Sequence, residues 1–375
     1  MLIGIDGNEA NTKVRVGVNV YAHQLLLAIE KLQDRWNKNH KIIIYLKEKP
    51  LNDLPKESDF IKYKILKGNK LWVITKLMPK LLFDSPKLDV FFTPSHYLPP
   101  LMRVKAFCSI MDLGYLNSSE QFRKYDFWQL KYWSAWSMFI SKKIFAISQS
   151  TAKDIVRHYP LVKNKIIVTY LSYDREKFNQ IITHSDVRRV KRKFSIGLNE
   201  YFLFLGTLKP SKNVMGIVKA YQKVLKTDEK IKLVIGGKKG WLYEDIFAEV
   251  KKLGLEDKVI FTGYVDEKDK VALIRGAKAF LLPSFWEGFG LDVLSSMASG
   301  IPVVISKSGS LPEVGGTAAI YVDPHNVDSI ADGMNKVLEM KDLEYDNLVK
   351  RLLEQTRKFS WDNTAIDTMN ALTES

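Results

Sequence analysis

The sequence predicts an α/β protein with two doubly wound parallel sheets, one in each of two domains. The chain has 375 residues, which is enough for two domains that each bury their own core. Short apolar and β-branched runs recur along it, and segments with a helical spacing of apolar residues follow them. This alternation is typical of parallel sheets that are covered by helices on both faces.

The apolar runs predict the order of the elements. In the first half we expect an irregular basic stretch at 62–80 and strands at 2–5, 41–46, 89–93, 106–110, 143–148 and 165–168. In the second half we expect strands at 201–205, 232–235, 258–262, 279–282 and 301–305. We therefore expect a first domain over 1–178, a linker region over 179–199 with a basic cluster, and a second domain over 200–359.

The segment 279–305 is the strongest candidate for a site. A buried strand runs into a turn that contains Glu287, Gly288 and Gly290, a helix starts near Leu291, and a second buried strand follows. Parallel sheets build sites at the carboxyl ends of their strands. The glycines let the backbone approach a ligand, and the free N–H groups that open the helix favour an anion. Because the carboxylate of Glu287 suits a sugar hydroxyl, the turn predicts a ligand with phosphate and sugar together.

A second anion-binding position is predicted after the strand at 201–205. Gly206 clears the end of that strand, and Lys212 falls where the next helix begins. The Lys212 ammonium group and the N–H groups of the helix can converge on one anion. Both candidate turns follow buried strands of the second domain.

Charge is distributed unevenly along the chain. Residues 1–200 hold 34 Lys and Arg against 18 Asp and Glu, a balance of +16, whereas residues 201–375 hold 23 against 24, a balance of −1. This predicts an anionic surface or acceptor for the first domain, or else a solvated basic face. The single Cys108 excludes an internal disulfide and a multi-cysteine zinc site. With neither a signal peptide nor a spanning apolar run, we expect a cytoplasmic protein, in peripheral contact at most with the inner face of the cell membrane.

An aromatic and basic segment lies at 115–143. On a helix, its positions 125, 128, 132, 136 and 139 share one face. One interpretation packs this stripe on the sheet of the first domain, and we expect that for Tyr132 and Trp136. The other interpretation presents side chains to an anionic membrane surface, and we expect that for Arg123, Lys124, Trp128, Lys131 and Trp133. No nucleic-acid motif accompanies the aromatics, so nucleic acid is not an expected partner.

The motifs of the second domain resemble a known family. The Glu-Gly-Phe-Gly-Leu of 287–291, the Met-Ala of 297–298 and the Gly-Ile-Pro-Val-Val of 300–304 are similar to the donor-site signature of the retaining, nucleotide-sugar-dependent glycosyltransferases of group 1 type. The resemblance covers nearly the whole chain. It implies the GT-B fold, in which two Rossmann-like domains face a cleft, with a helix at 360–375 that packs back on the first domain.

The resemblance also assigns roles by position. It implies that Glu287 holds the transferred sugar, that Lys212 stabilises the departing diphosphate, and that Ser295 stands where a ribose-binding glutamate is usual. Asp112 is the candidate acceptor-side base, with a helix cap as the alternative, and Met111 replaces a histidine common at that strand end. The other positions matched to donor binding are Gly17, Gly206, Thr207, Gly236, Tyr264, Gly288, Phe289, Gly290 and Leu291.

The implied reaction transfers a hexose from a nucleoside-diphosphate sugar to a hydroxyl of a saccharide acceptor, lipid-linked in view of the basic, aromatic first domain, with retention of configuration. No Asp-x-Asp triplet follows a buried strand, so neither a metal ion nor a cofactor is expected. Two alternatives stay open. One is a nucleotide-sugar epimerase on the same fold, and the other, motivated by Met111 and Ser295, is a binding subunit without catalysis.

Overall fold

The computed structural model describes residues 1–83, 87–117, 124–178, 180–240 and 242–374, with the backbone alone at 117, 124 and 126. It divides into two compact units. The first unit contains 1–172 and 359–375, and the second contains 173–358. The segment 179–199, expected as a linker, includes a helix that belongs to the second unit.

The described residues form parallel strands and helices that alternate along the chain. The strands are β1 (Leu2–Asp6), β2 (Lys41–Leu46), β3 (Ile61–Ile65), β4 (Val90–Thr93), β5 (Lys105–Ile110), β6 (Ser141–Ala146), β7 (Ile166–Val168), β8 (Tyr201–Leu205), β9 (Lys232–Gly236), β10 (Val259–Gly263), β11 (Ala279–Leu282), β12 (Val303–Ser306) and β13 (Ile320–Val322). The α-helices are α1 (Val18–Lys31), α2 (Met78–Phe83), α3 (Gly114–Asn117), α4 (Lys124–Ile140), α5 (Gln149–His158), α6 (Arg175–Phe178), α7 (His184–Lys193), α8 (Val214–Val224), α9 (Glu244–Lys252), α10 (Glu267–Arg275), α11 (Leu291–Ala298), α12 (Leu311–Gly315), α13 (Val327–Leu338), α14 (Asp342–Thr356) and α15 (Trp361–Thr373).

The first unit is built on a parallel sheet with the strand order β3-β2-β1-β4-β5-β6-β7. Apolar side chains of its central strands, such as Ile3, Phe92 and Phe107, are fully buried because helices cover both faces. The last helix, α15, packs beside α1, where the rings of Tyr21 and Trp361 lie 6.3 Å apart. The first unit therefore contains both ends of the described chain.

The expectation of an irregular stretch at 62–80 is wrong at its start. β3 pairs in parallel with β2, with Ile42 opposite Ile61. The strand reads Ile-Lys-Tyr-Lys-Ile, an alternation of apolar and charged residues that suits an edge strand with one solvated face. A search for continuous apolar runs passes over such a strand. It also passes over β13, which has only three residues.

The second unit is built on a parallel sheet with the strand order β10-β9-β8-β11-β12-β13. Every residue of β8 and β11 is buried. The order of the strands reverses between β8 and β11, and in open α/β sheets the crevice outside the carboxyl ends at such a point is where ligands bind. The prediction of two doubly wound parallel sheets is confirmed, and the fold points to the turns after β8 and β11.

A buried carboxylate holds the basic helix α7 on the second unit. Asp269 in the first turn of α10 has no exposed surface, and it accepts hydrogen bonds from Arg189 at 2.5 Å and from Lys193 at 2.6 Å. Burial raises the pKa of Asp269 and the two cations lower it, with a net downward shift. Two of the five cations in the basic cluster at 188–193 thus have a structural partner in Asp269.

Asp269→Asn should lower the free energy of unfolding by about 2 kcal/mol at pH 7, because two charge-assisted hydrogen bonds lose their anion. The folded pKa of Asp269 lies below the ordinary value of 3.8. The stabilisation is therefore complete above that value and is lost as the pH falls through the folded pKa, so wild type and variant should converge in acid. Urea unfolding between pH 7 and pH 3 measures both effects.

Asp266→Asn is the matched control. Its carboxylate is half exposed and lies 3.8 Å from the Lys193 ammonium, so its removal should change the unfolding free energy by less than about 0.5 kcal/mol. If both variants lost the same free energy of unfolding, the burial of Asp269 would contribute nothing to stability.

Candidate active site

The turns after β8 and β11 are joined by an ion pair. The Lys212 ammonium donates to Oε1 of Glu287, and the Ser284 hydroxyl donates to the same oxygen at 2.8 Å. The backbone N–H of Phe285 donates to the carbonyl of Ser211 at 2.9 Å. The two residues that the sequence singled out as carboxylate and cation are therefore in contact at the point where the strand order reverses.

Glu287 is held on its backbone side as well. Its residue surface is only 7 % exposed, and its carbonyl oxygen accepts from both the N–H and the hydroxyl of Ser310 at 3.1 Å. Gly309 packs directly against the Glu287 backbone. The turn thus fixes a nearly buried carboxylate whose charge is compensated by Lys212.

Asn213 connects three turns at this edge of the sheet. Its side-chain oxygen accepts from the N–H of Gly216 at 3.2 Å and so caps α8. Its side-chain nitrogen donates to the carbonyl of Pro283 at 3.1 Å and to that of Pro324 at 2.7 Å. The sequence analysis missed this residue, although an asparagine before a helix is a strong cap signal. Asn213 lies directly after Lys212, so the cap also positions the cation.

The helix α11 begins where the sequence placed it. Gly290 precedes it with φ +96°, and a Cβ there would lie 2.8 Å from Leu311, so the turn requires glycine. No side-chain hydrogen bond caps the helix within the described residues, and the first N–H groups of a helix favour an anion. Gly288 and Leu291 are half-buried, whereas the ring of Phe289 is in the core. Phe289 thus contributes its backbone to this site.

Ser295, which stands where a ribose-binding glutamate is usual, and Asp292 both lie on α11. Ser295 is buried, and its carbonyl accepts from Ser299. Asp292 pairs with the ammonium of Lys270 at 2.6 Å, and Glu267 lies 3.9 Å from the same ammonium. Burial lowers the pKa of Lys270 and the two carboxylates raise it, with a net upward shift. The sequence analysis did not single out Lys270, since no local pattern links α10 to α11.

The remaining donor-side positions of the second unit lie at the ends of β8, β9 and β10. The N–H of Gly206 donates to the carbonyl of Gly236 at 3.0 Å, which holds the ends of β8 and β9 together. Thr207 is exposed beside them. Tyr264 follows β10 with an exposed ring, and the Lys238 ammonium lies 5.3 Å from the centre of that ring. This edge therefore presents an aromatic face and a cation.

In the first unit, the structure places Gly17 directly before α1, and a Cβ at Gly17 would have open space around it. Asp112 is exposed after β5, and its Oδ1 accepts from the N–H of Gly114 at 2.8 Å. One oxygen of Asp112 is thus used in the turn that precedes α3. Met111 lies beside it, and its carbonyl accepts from the Thr151 hydroxyl.

The expectation that Tyr132 and Trp136 pack on the sheet is wrong, since they are 65 % and 43 % exposed. Trp133, which was expected at a membrane surface, instead packs on the first unit. Its indole N–H donates to the carbonyl of Leu98 at 2.7 Å, and its ring packs against Tyr97. Trp128 is exposed, and Lys131 is half-buried beside it. Arg123 lies outside the described residues, and Lys124 is described by its backbone alone.

Two kinds of feature are absent from the described part of the chain. It contains no group of three or more His, Cys, Asp or Glu side chains placed to hold a metal ion. Within the same residues, no helix is long and apolar enough to cross a bilayer.

Comparison with known proteins shows a similarity to glycosyltransferases. Residues 188–359 match the family described as "Glycosyl transferases group 1". The matched segment is slightly less than half of the chain and lies almost entirely in the second unit. The chain is 29 % identical to the O-antigen chain mannosyltransferase B of Escherichia coli over 283 residues, which are 75 % of this chain and 73 % of that protein. It is 32 % identical to the serotype-specific mannosyltransferase WbdA of Escherichia coli over 226 residues, 59 % of this chain and only 27 % of that longer protein.

Solved structures of glycosyltransferases share the fold of this chain over its full length. The crystal structure of Anabaena Alr3699/HepE in complex with UDP and glucose matches with a TM-score of 0.72 at 15 % identity, covering 100 % of this chain and 99 % of that one. WaaG, a glycosyltransferase involved in lipopolysaccharide biosynthesis, matches with a TM-score of 0.73 at 13 % identity, with 100 % of both chains covered. These likenesses show that the chain has the GT-B fold.

Gly309→Ala should lower the free energy of unfolding by about 2–3 kcal/mol, because it combines strain at φ +57° with a collision between the new Cβ and the Glu287 carbonyl. Gly254→Ala is the control, since Gly254 has φ +63° but open space around a Cβ, and it should lose about 1 kcal/mol from strain alone. Urea unfolding compares the two. Equal losses would mean that the Glu287 backbone is not confined by Gly309.

Proposed function

We propose that this glycosyltransferase moves a hexose, with mannose as the first choice, from a nucleoside-diphosphate sugar to a hydroxyl of a lipid-linked saccharide, with retention of configuration. The observation that carries the proposal is the contact of Lys212 with Glu287 at the carboxyl ends of β8 and β11. The names of the mannosyltransferase relatives support the choice of sugar and the role in polysaccharide synthesis.

Each charged group has a part of the donor to bind. The Lys212 ammonium, together with the N–H groups that open α11, stabilises the negative charge that develops on the departing diphosphate. Glu287 accepts hydrogen bonds from hydroxyls of the sugar. The Ser284 hydroxyl orients the Glu287 carboxylate for this role by donating a hydrogen bond to it. Ribose contact is assigned to α11 near Ser295, and the nucleobase to the edge formed by Gly236 and Tyr264. No metal ion is required by this arrangement, because the protein supplies the positive charge.

Retention is proposed to follow from attack on the front face of the donor. The bond between the anomeric carbon and the phosphate oxygen breaks, and the bond from the acceptor oxygen to that carbon forms on the same face. The proton of the acceptor hydroxyl passes to the phosphate oxygen that leaves. Asp112 is kept as the alternative acceptor of that proton, in which case it acts as the acceptor-side base through the carboxylate oxygen that does not contact Gly114.

The lipid-linked acceptor is proposed from the charge distribution. The basic balance of +16 in residues 1–200 suits a substrate embedded among anionic headgroups. The protein is accordingly proposed to work in the cytoplasm at the inner face of the cell membrane. An epimerase or a binding subunit remains the alternative that an assay of turnover must separate.

The test is thermal unfolding in metal-free buffer. The ligands are GDP, UDP, TDP and ADP, and the nucleotide sugars formed from each of them. One diphosphate at a hundredfold excess over its Kd should raise the Tm by about 5 °C. Lys212→Ala should abolish the shift, because it removes the cation that faces the phosphates.

Lys223→Ala is the matched control, since Lys223 pairs with the exposed carboxylate of Asp328 on the outside of α8, and it should keep the full shift. The absence of a shift with every diphosphate would reject the donor site. If the protein converted the nucleotide sugar to its epimer without an acceptor, its reaction would be epimerisation and the proposed transfer would be rejected.

A further inference from the structure

One face of α4 is aromatic and exposed, and the proposed transfer reaction does not account for it. We define the α4 aromatic face as Tyr125, Trp128, Tyr132, Trp136 and Phe139. These residues are between 43 % and 73 % exposed, and they recur at helical spacing along four turns. A contiguous aromatic stripe on a surface marks an interaction site.

The opposite side of α4 is the one that packs. Met138 has no exposed surface, and the Ser137 hydroxyl accepts the N–H of Leu98 at 3.1 Å. Ser134 is buried as well, within hydrogen-bond distance of Tyr115. The helix is therefore fixed to the first unit mainly by its opposite side, to which Trp133 also belongs, and the rings of the α4 aromatic face stay largely exposed.

The exposed rings are ordered by contacts among themselves. Trp128 and Tyr132 stack with their centroids 5.3 Å apart and an interplanar angle of 14°. The indole N–H of Trp136 donates to the carbonyl of Pro100 at 3.1 Å, next to the exposed Leu101. Rigid rings with a polar edge and an apolar face lose little conformational freedom on binding, which is why Trp and Tyr are favoured at the boundary of a bilayer.

Cations flank these rings. The Lys131 ammonium lies 5.0 Å from the centre of the Trp128 ring. The Lys165 ammonium lies 5.6 Å from the ring of Phe139 and donates to its carbonyl. Arg103 is exposed two residues after Leu101. Aliphatic stems that run along aromatic rings and end in ammonium groups suit a boundary between hydrocarbon and anionic headgroups.

We propose that the α4 aromatic face, with Leu101 and the cations Lys131 and Lys165, docks the protein on a bilayer that contains anionic lipid. The charge pattern selects this occupant over a second copy of the chain, because a symmetric contact would place two copies of this cation-flanked face against each other. The surface lies in the first unit, so this docking goes beyond the donor chemistry and does not depend on it.

The test is co-sedimentation with vesicles of phosphatidylcholine alone and of phosphatidylcholine with about 30 % phosphatidylglycerol. Wild type should bind the anionic vesicles at least tenfold more strongly than the neutral ones, and binding should weaken as salt rises from about 50 to about 200 mM. The variant Trp128→Ser/Tyr132→Ser/Phe139→Ser should lose at least tenfold in affinity. Leu343→Ser/Leu353→Ser, on exposed leucines of α14, should bind as wild type does.

Lys131→Glu is a second variant that keeps every ring and reverses one charge, and it should lose affinity for the anionic vesicles alone. Both α4 variants should keep the wild-type Tm and the rise in Tm caused by the diphosphate. Vesicle binding therefore tests the docking surface, and the rise in Tm tests the donor site independently. Wild-type affinity in the triple variant would overturn the proposal, as would equal binding to neutral and anionic vesicles. A wild-type dimer that dissociates in the triple variant, without vesicle binding, would assign the face to self-association instead.

Discussion

In the second unit, the arrangement of the turns at the carboxyl edge of the sheet depends on one ion pair, in which an ammonium group compensates the charge of a nearly buried carboxylate. Glu287 and Lys212 come from turns that follow neighbouring strands, and a carboxylate left without its cation at this depth would be strongly destabilising. The turns are therefore held in one arrangement, with Ser284 on the carboxylate and Asn213 across the three turns. Groups fixed in advance need little reorganisation when charge develops on a phosphate, which is the condition for electrostatic catalysis.

Charge also separates the roles of the two units. In the second unit the cations near the site are paired with specific carboxylates, Lys212 with Glu287 and Lys270 with Asp292. In the first unit, part of the excess of Lys and Arg flanks the α4 aromatic face. The first pattern suits recognition of a small molecule with phosphate and hydroxyl groups. The second suits a broad anionic surface.

The sequence predicts the parts of this structure that depend on local pattern. Buried parallel strands are continuous apolar runs, so most strands and the turns that carry Lys212 and Glu287 could be found in advance. β3 was missed because an edge strand alternates its residues, and Lys270 because its partner Asp292 is close only in the folded chain. Tyr132 was misplaced since spacing shows that aromatics share a face but not whether that face is covered.

The most direct measurement of the central claim is calorimetric titration of Glu287→Gln and Lys212→Met with a nucleoside diphosphate and with its hexose derivative. The account predicts that Lys212→Met loses affinity for both ligands. Glu287→Gln should bind the diphosphate at least as tightly as wild type, because the competing carboxylate is gone, but should lose about tenfold or more for the nucleotide sugar. Equal losses of both ligands in both variants would contradict separate roles for the cation and the carboxylate.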